Sequence, residues 1–214
     1  MKKKGLFISF EGIDGSGKTT QVKRLGQSLR DKGYELVTVR EPGGTPVAEK
    51  IRELLLDARN DGICPRTEAF LYAAARAQLV TEVINPALTE GRVVIADRYL
   101  DSTLAYQGYG RGLDTRFLEQ LNRLAVAGTV PDLTIILDIS PVEGMVRRSD
   151  SCPDRLEREG LQFQEAVRAG YLSLSRQYPE RIKVVDAMQP PEQVYAEIVA
   201  LVTPFLAQLA EAGV

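Results

Sequence analysis

The run Gly12-Ile-Asp-Gly-Ser-Gly17-Lys18-Thr19 narrows the folds open to this chain more than any other feature. A glycine, four residues and then Gly-Lys-Thr is the pattern of a phosphate-binding loop. Here it follows the apolar run LFISF (6–10) and opens a segment with helical spacing at Val22, Leu25 and Leu29, the context that such a loop requires. Four more short, β-branched runs recur downstream: ELVTV (35–39), RVVIA (92–96), LTIIL (133–137) and RIKVV (181–185). Segments of helical periodicity separate them, among them Val47, Ile51, Leu54 and Leu55. The alternation predicts an α/β fold with a five-stranded parallel sheet and helices on both faces, with ligands at the carboxyl ends of the strands. The polar clusters EGIDGSGKTT, REPGG and DRYLDS all fall at that edge.

The loop's chemistry can be read residue by residue. Gly12, Gly15 and Gly17 let backbone N–H groups face phosphates, with Ser16 and Thr20 in the same stretch; Lys18 adds a point charge near the β and γ groups, and Thr19 offers a hydroxyl to Mg²⁺. ATP or GTP is the expected ligand, and the absence of an Asn-Lys-x-Asp stretch argues against a GTPase. After the third strand, Asp97 is followed by Arg98, which puts a carboxylate toward the metal and a guanidinium toward a second phosphate. Two phosphorylated ligands facing each other are therefore expected. Asp14 is the puzzle, a negative charge in the middle of an anion-binding loop.

Composition excludes more than it selects. With 214 residues, 44% of them hydrophobic and 26% charged, the chain is expected to form one domain over 1–214, without a membrane-crossing run. The Lys-rich start resembles a secretion signal, but Glu11 interrupts its apolar run early, so a cytoplasmic protein is expected. A net charge of −2 argues against a nucleic-acid partner, and the absence of histidine removes His-based nucleophilic chemistry and His-ligated metals. Cys64 and Cys152 match no zinc or redox spacing and read as reduced thiols. Residues 65–90 read as one long helix kinked near Pro86, with Phe70 near its hinge and assigned to the core. Residues 147–159 read as a mobile flap, or lid, with no core positions.

Five stretches in order, FEGIDGSGKTTQ, TVREPGGT, LYAAARAQLV, DRYLDSTLAYQGYGRGL and DRLERE, resemble the bacterial thymidylate kinases across nearly the whole chain. The resemblance implies transfer of the γ-phosphate of ATP to dTMP, giving dTDP on the route to dTTP, with Mg²⁺ and as a homodimer. It implies that Lys18 serves the phosphates, that Thr19 and Asp97 serve the metal, and that Arg40 and Arg98 hold the acceptor phosphate. Tyr72, where many relatives have phenylalanine, would stack on thymine, while Arg76, Thr103 and Gln107 reach its edge and Tyr106 lies beneath the deoxyribose. Asp14 would face the acceptor sugar and the metal shell. A rival reading has Asp14 bracing the loop's own amides.

Some relatives carry an arginine in the loop where this chain has Ser16, so the charge on the transferring phosphoryl group must be met from the flap by Arg147, Arg148 or Arg155. Arg155 is the expected catalytic arginine, with Arg147 near the adenine and Arg148 next in line; Arg158 reads as solvated. Two alternatives stay open at this level. One is a kinase for another small acceptor, the other a nucleotide-switched binding protein that hydrolyses ATP slowly.

Overall fold

A computed structural model describes residues 5–148 and 155–211. The five expected strands are present as β1 (Leu6–Glu11), β2 (Leu36–Arg40), β3 (Val93–Asp97), β4 (Leu133–Asp138) and β5 (Ile182–Asp186). They form one parallel sheet in the order β2-β3-β1-β4-β5. β1 is central and buried along its whole length. Successive side chains leave opposite faces of a strand, so Leu6, Ile8 and Phe10 enter one apolar cluster and Phe7 the other, each roofed by helices. Register aligns Phe10 and Arg40 with Asp97, which brings three loops to one edge.

The helices are α1 (Lys18–Asp31), α2 (Pro46–Leu56), α3 (Pro65–Leu79), α4 (Asn85–Thr89), α5 (Leu100–Thr103), α6 (Thr115–Val126), α7 (Pro141–Arg147), α8 (Gly160–Gln177) and α9 (Pro191–Glu211). Local signals start many of them. Thr45, Asp114 and Ser140 accept hydrogen bonds from the amides of Ala48, Phe117 and Glu143, and proline occupies the first turn of α2, α3 and α7.

The structure departs from expectation at four places. The helix from residue 65 is interrupted by a π-helical segment, Val80–Ile84, where the Asn85 amide bonds to the Val80 carbonyl five residues back. Pro86 has no N–H for the next regular bond, and the wider turn absorbs that loss. Phe70 is not core but about half exposed. Residues 149–154 of the expected flap, Cys152 among them, lie outside the described residues, but the flap does carry core positions: Leu156 is buried in the larger apolar cluster and Arg155 is buried beside it. Finally, α9 is by length and hydropathy apolar enough to cross a membrane, contrary to the reading of composition; Val194, Ile198, Val202 and Leu209 nevertheless face the core. Cys64 is an exposed free thiol.

Candidate active site

β1 ends at Glu11, the loop turns through Gly12 to Gly17, and α1 starts at Lys18. Gly17 has a left-handed φ of 88°, a backbone conformation that residues with a Cβ rarely adopt, and with it the chain enters the helix from the loop. α7 lies against the loop so closely that a Cβ on Gly15 would sit 2.2 Å from the Gly144 carbonyl oxygen. Lys18 folds back, its Nζ donating to the carbonyls of Gly12 (3.0 Å) and Ile13 (2.9 Å). Burial, helped by neighbouring Arg98, brings its ammonium down to about 8. Thr19 Oγ1 donates to Asp97 Oδ2 at 2.7 Å, so the two residues expected to serve a metal already meet. Among the described residues no three acidic, Cys or His side chains cluster as a metal cage. A hydroxyl and one carboxylate suit Mg²⁺, which keeps several waters and takes its other oxygens from phosphates.

A cavity of about 760 Å³ is lined by residues 14–20, Asp97 and Arg98 together with Arg147, Ala187, Gln189, Pro191 and Val194. Gly15, Ser16, Gly17, Lys18, Thr19, Thr20 and Arg147 are thus brought together, whereas Gly12 lies behind the wall and contributes its carbonyl to Lys18 and Arg98. Arg147 is fixed by Glu143 and by the Ala187 carbonyl at 3.1 Å. A second cavity, about 190 Å³, is lined by Tyr72, Thr103, Tyr106, Gln107, Ser102 and Leu156. The two cavities share Asp14, Glu41, Arg52 and Arg98.

Arg98 is the hinge between them. Its Nη2 donates to Asp14 Oδ1 (2.5 Å) and to the Tyr106 hydroxyl (2.9 Å), and its Nη1 donates to the Gly12 carbonyl (2.9 Å). Tyr106 in turn donates to Asp14 Oδ2 at 3.2 Å. Burial alone would raise the Asp14 carboxyl, but Arg98 and then Lys18 outweigh it and hold the group well below the usual carboxylate range. Asp14 therefore stays ionised without repelling phosphates, because its charge is spent on Arg98. Among the described residues its hydrogen-bond donors are those two side chains and not the loop amides, which disfavours the bracing account.

Two expected site residues stand elsewhere. Arg76 lines neither cavity. It is fully buried, with its donors on Glu41 (2.7 Å), Thr103 Oγ1 (2.9 Å), Asn122 Oδ1 (2.7 Å) and the Tyr99 carbonyl (3.1 Å). These use all its N–H groups. Arg155 is also away from the phosphate loop: its Nη2 pairs with buried Glu68 at 2.6 Å and its Nε donates to the Leu55 carbonyl at 2.8 Å. Glu68 is buried and also pairs with Arg111, and its carboxylate holds the Arg155 guanidinium there. Arg148, by contrast, lines the larger cavity beside the loop. Arg40 lines it too, half-exposed and paired with Glu49 at 3.0 Å.

Sequence reading missed Glu11, Glu41, Arg52, Ser102 and Tyr171. Glu41 is buried, touches both cavities, and its Oε1 has no hydrogen-bond partner among the described residues; burial outweighs Arg76 and raises its carboxyl. Glu11, fully buried, is pushed up to about 7, first by burial and then by Asp101. The one available signal was a carboxylate ending an otherwise apolar strand.

Comparison with known proteins agrees with this fold. The family model "Thymidylate kinase" matches residues 10–198. A protein named thymidylate kinase from Thermoanaerobacter sp. (strain X514) is 49% identical over 203 residues, 95% of this chain and all of that one. One so named from Pelotomaculum thermopropionicum is 53% identical over 198 residues, 91% of each chain. The crystal structure of thymidylate kinase from Ehrlichia chaffeensis superposes with a TM-score of 0.76 at 34% identity, covering 92% of this chain and 98% of that one.

Proposed function

The chain belongs to the thymidylate kinase family, and on that premise we propose that its two joined cavities carry ATP-dependent phosphorylation of dTMP to dTDP. The observation that carries the reading is Arg98, which faces both cavities at once and is aimed by Asp14 and Tyr106. ATP lies along the larger cavity, triphosphate on residues 14–20 and base toward Arg147 and Val194. dTMP occupies the smaller one, its ring against Tyr72, its edge toward Thr103 and Gln107, and its sugar over Tyr106.

An oxygen of the acceptor phosphate bonds to the γ-phosphorus as the bond to ADP breaks. No general base is needed, because the acceptor is already an anion. The protein's contribution is alignment, exclusion of water and neutralisation of charge. Arg98 holds the acceptor phosphate against Asp14, Lys18 leaves its loop carbonyls for the donor phosphates, and Arg40 and Arg148 add charge at the rim. Mg²⁺, held by Thr19 and Asp97, would neutralise the β and γ oxygens. We further assign a homodimer acting in the cytoplasm.

The test is ADP release with ATP against a panel of nucleoside monophosphates. Turnover strictly dependent on an acceptor, and highest with dTMP, is the expected result. Acceptor-independent ADP release would favour the nucleotide switch instead.

A further inference from the structure

Glu11 touches neither cavity and is fully buried at the end of the central strand. A carboxylate in such a place must earn its burial through hydrogen bonds. It has three donors: the Tyr99 amide on Oε1 (2.8 Å), and the Ser102 hydroxyl (2.5 Å) and Tyr171 hydroxyl (2.9 Å) on Oε2. All three lead to Arg98. Tyr99 is the next residue in the chain, and both hydroxyls also accept from Arg98 Nη1, at 3.4 Å and 3.2 Å.

Arg98 needs such holding. Its φ is 70°, in the left-handed region that a long side chain rarely adopts, and nothing in its own sequence favours that turn. Its amide is fixed to the Phe10 carbonyl at 2.9 Å, and the amide that follows it is fixed to Glu11. β1 therefore grips the strained residue from both sides.

We propose that Glu11 is a positioning residue for Arg98: it locks the left-handed backbone through the Tyr99 amide and aims the guanidinium at the junction of the cavities through Ser102 and Tyr171. The inference rests on the proposed reading that Arg98 holds the acceptor phosphate. Glu11 Oε2 gathers the Ser102 and Tyr171 hydroxyls, themselves 2.8 Å apart, into one cluster whose remaining lone pairs face Arg98. A glutamine of the same size can still accept from the Tyr99 amide, but its NH₂ competes with Arg98 for those lone pairs.

The experiment compares wild type, Glu11→Gln, Tyr171→Phe and the double variant in steady-state kinetics, with dTMP and ADP affinities from calorimetry and with melting curves. Glu11→Gln is expected to lower kcat/KM for dTMP by about tenfold or more, while KM for ATP and ADP affinity change less than about twofold. Tyr171→Phe, which removes one relay and lines no cavity, should show a smaller loss of the same kind. The double variant should be no worse than the worse single one, as expected of one chain of contacts. Equal losses for both nucleotides would overturn the proposal, since a general scaffold role predicts that pattern; so would wild-type kinetics in Glu11→Gln. If Glu11→Gln does not fold, Tyr171→Phe decides by the same criteria. A wild-type protein inert toward dTMP would sink the functional reading instead, whereas an active wild type matched by its variants sinks this inference alone.

Discussion

At the scale of single residues, the arginines separate function from support. Arg148 lines the larger cavity beside the phosphate loop, whereas Arg155 is bound to Glu68, so we propose Arg148 as the residue that meets the charge on the transferring phosphoryl group. Arg148→Ala should cut kcat by about 10²-fold or more and leave the melting point nearly unchanged, as loss of a transition-state contact does. Arg155→Ala should reverse the pattern, losing about 2 kcal/mol of stability with kcat within tenfold of wild type, since Glu68 keeps Arg111 and Gln107 as partners. Denaturant melts and initial rates on the two variants distinguish these outcomes, and a swapped result would restore Arg155 to the catalytic role. Lys18 carries a pH signature. Its folded pKa of about 8 lies below the ordinary 10.5, so between those values the unfolded chain binds more protons and stability rises with pH. Donor phosphates favour the charged ammonium, so ADP binding at pH 8.5, where ADP itself is fully ionised, should draw in a substantial fraction of a proton, and less at pH 7.5. Calorimetry in buffers of different ionisation enthalpy measures this directly; buffer-independent heats at pH 8.5 would contradict it.

At the scale of elements, the phosphate loop is set by what lies under it as much as by its own glycines. A Cβ on Gly144 would meet the Asp14 carbonyl oxygen at 2.6 Å, and one on Gly15 would meet Gly144. The loop and α7 thus touch backbone to backbone. Gly144→Ala should push them apart, costing about 1–3 kcal/mol, and should weaken ATP binding with it; unchanged ATP affinity in a folded variant would show that α7 is not a brace. Nothing in the sequence pointed to this contact, since the two glycines are far apart and no periodicity links them. The strands were legible because buried parallel strands read as short β-branched runs, and the loop because its spacing is fixed by phosphate geometry. The π-helical segments were not: the first depends on where the N–H missing from Pro86 falls within an otherwise helical pattern, and nothing in the sequence marks the second. The second of them, Leu104–Gly110, carries both Tyr106 and Gln107 into the smaller cavity. Arg76 and Arg155 were expected to face ligands and here meet buried carboxylates: a motif identifies an arginine, but which partners its N–H groups find depends on residues remote in sequence, here Glu41 and Glu68.

At the scale of the whole molecule, the outward faces remain to be accounted for. Val47 and Leu54 on α2 and Phe70 on α3 are each more than two-fifths exposed, although Phe70 had been assigned to the core. α2 and α3 pack on each other, and Phe70 meets Phe117 of α6 edge to face with centroids 5.8 Å apart, so these helices offer exposed apolar side chains on neighbouring elements. Side chains of this kind on a kinase of 214 residues suit a second copy of the same surface, and a net charge of only −2 puts up little repulsion between copies. They also bear on the site, because α3 carries Tyr72 into the smaller cavity two residues after Phe70. Pairing through α3 would therefore stiffen the wall against which the thymine ring stacks. Sedimentation should find a dimer at micromolar concentration, and Phe70→Glu should produce a folded monomer by placing a charge at the centre of the contact. That monomer should bind dTMP more weakly, while ADP affinity, which depends on the loop at the far side of Arg98, should hold. A wild-type protein that sediments as a monomer at a hundred-fold higher concentration would remove both the dimer and its link to the thymine pocket.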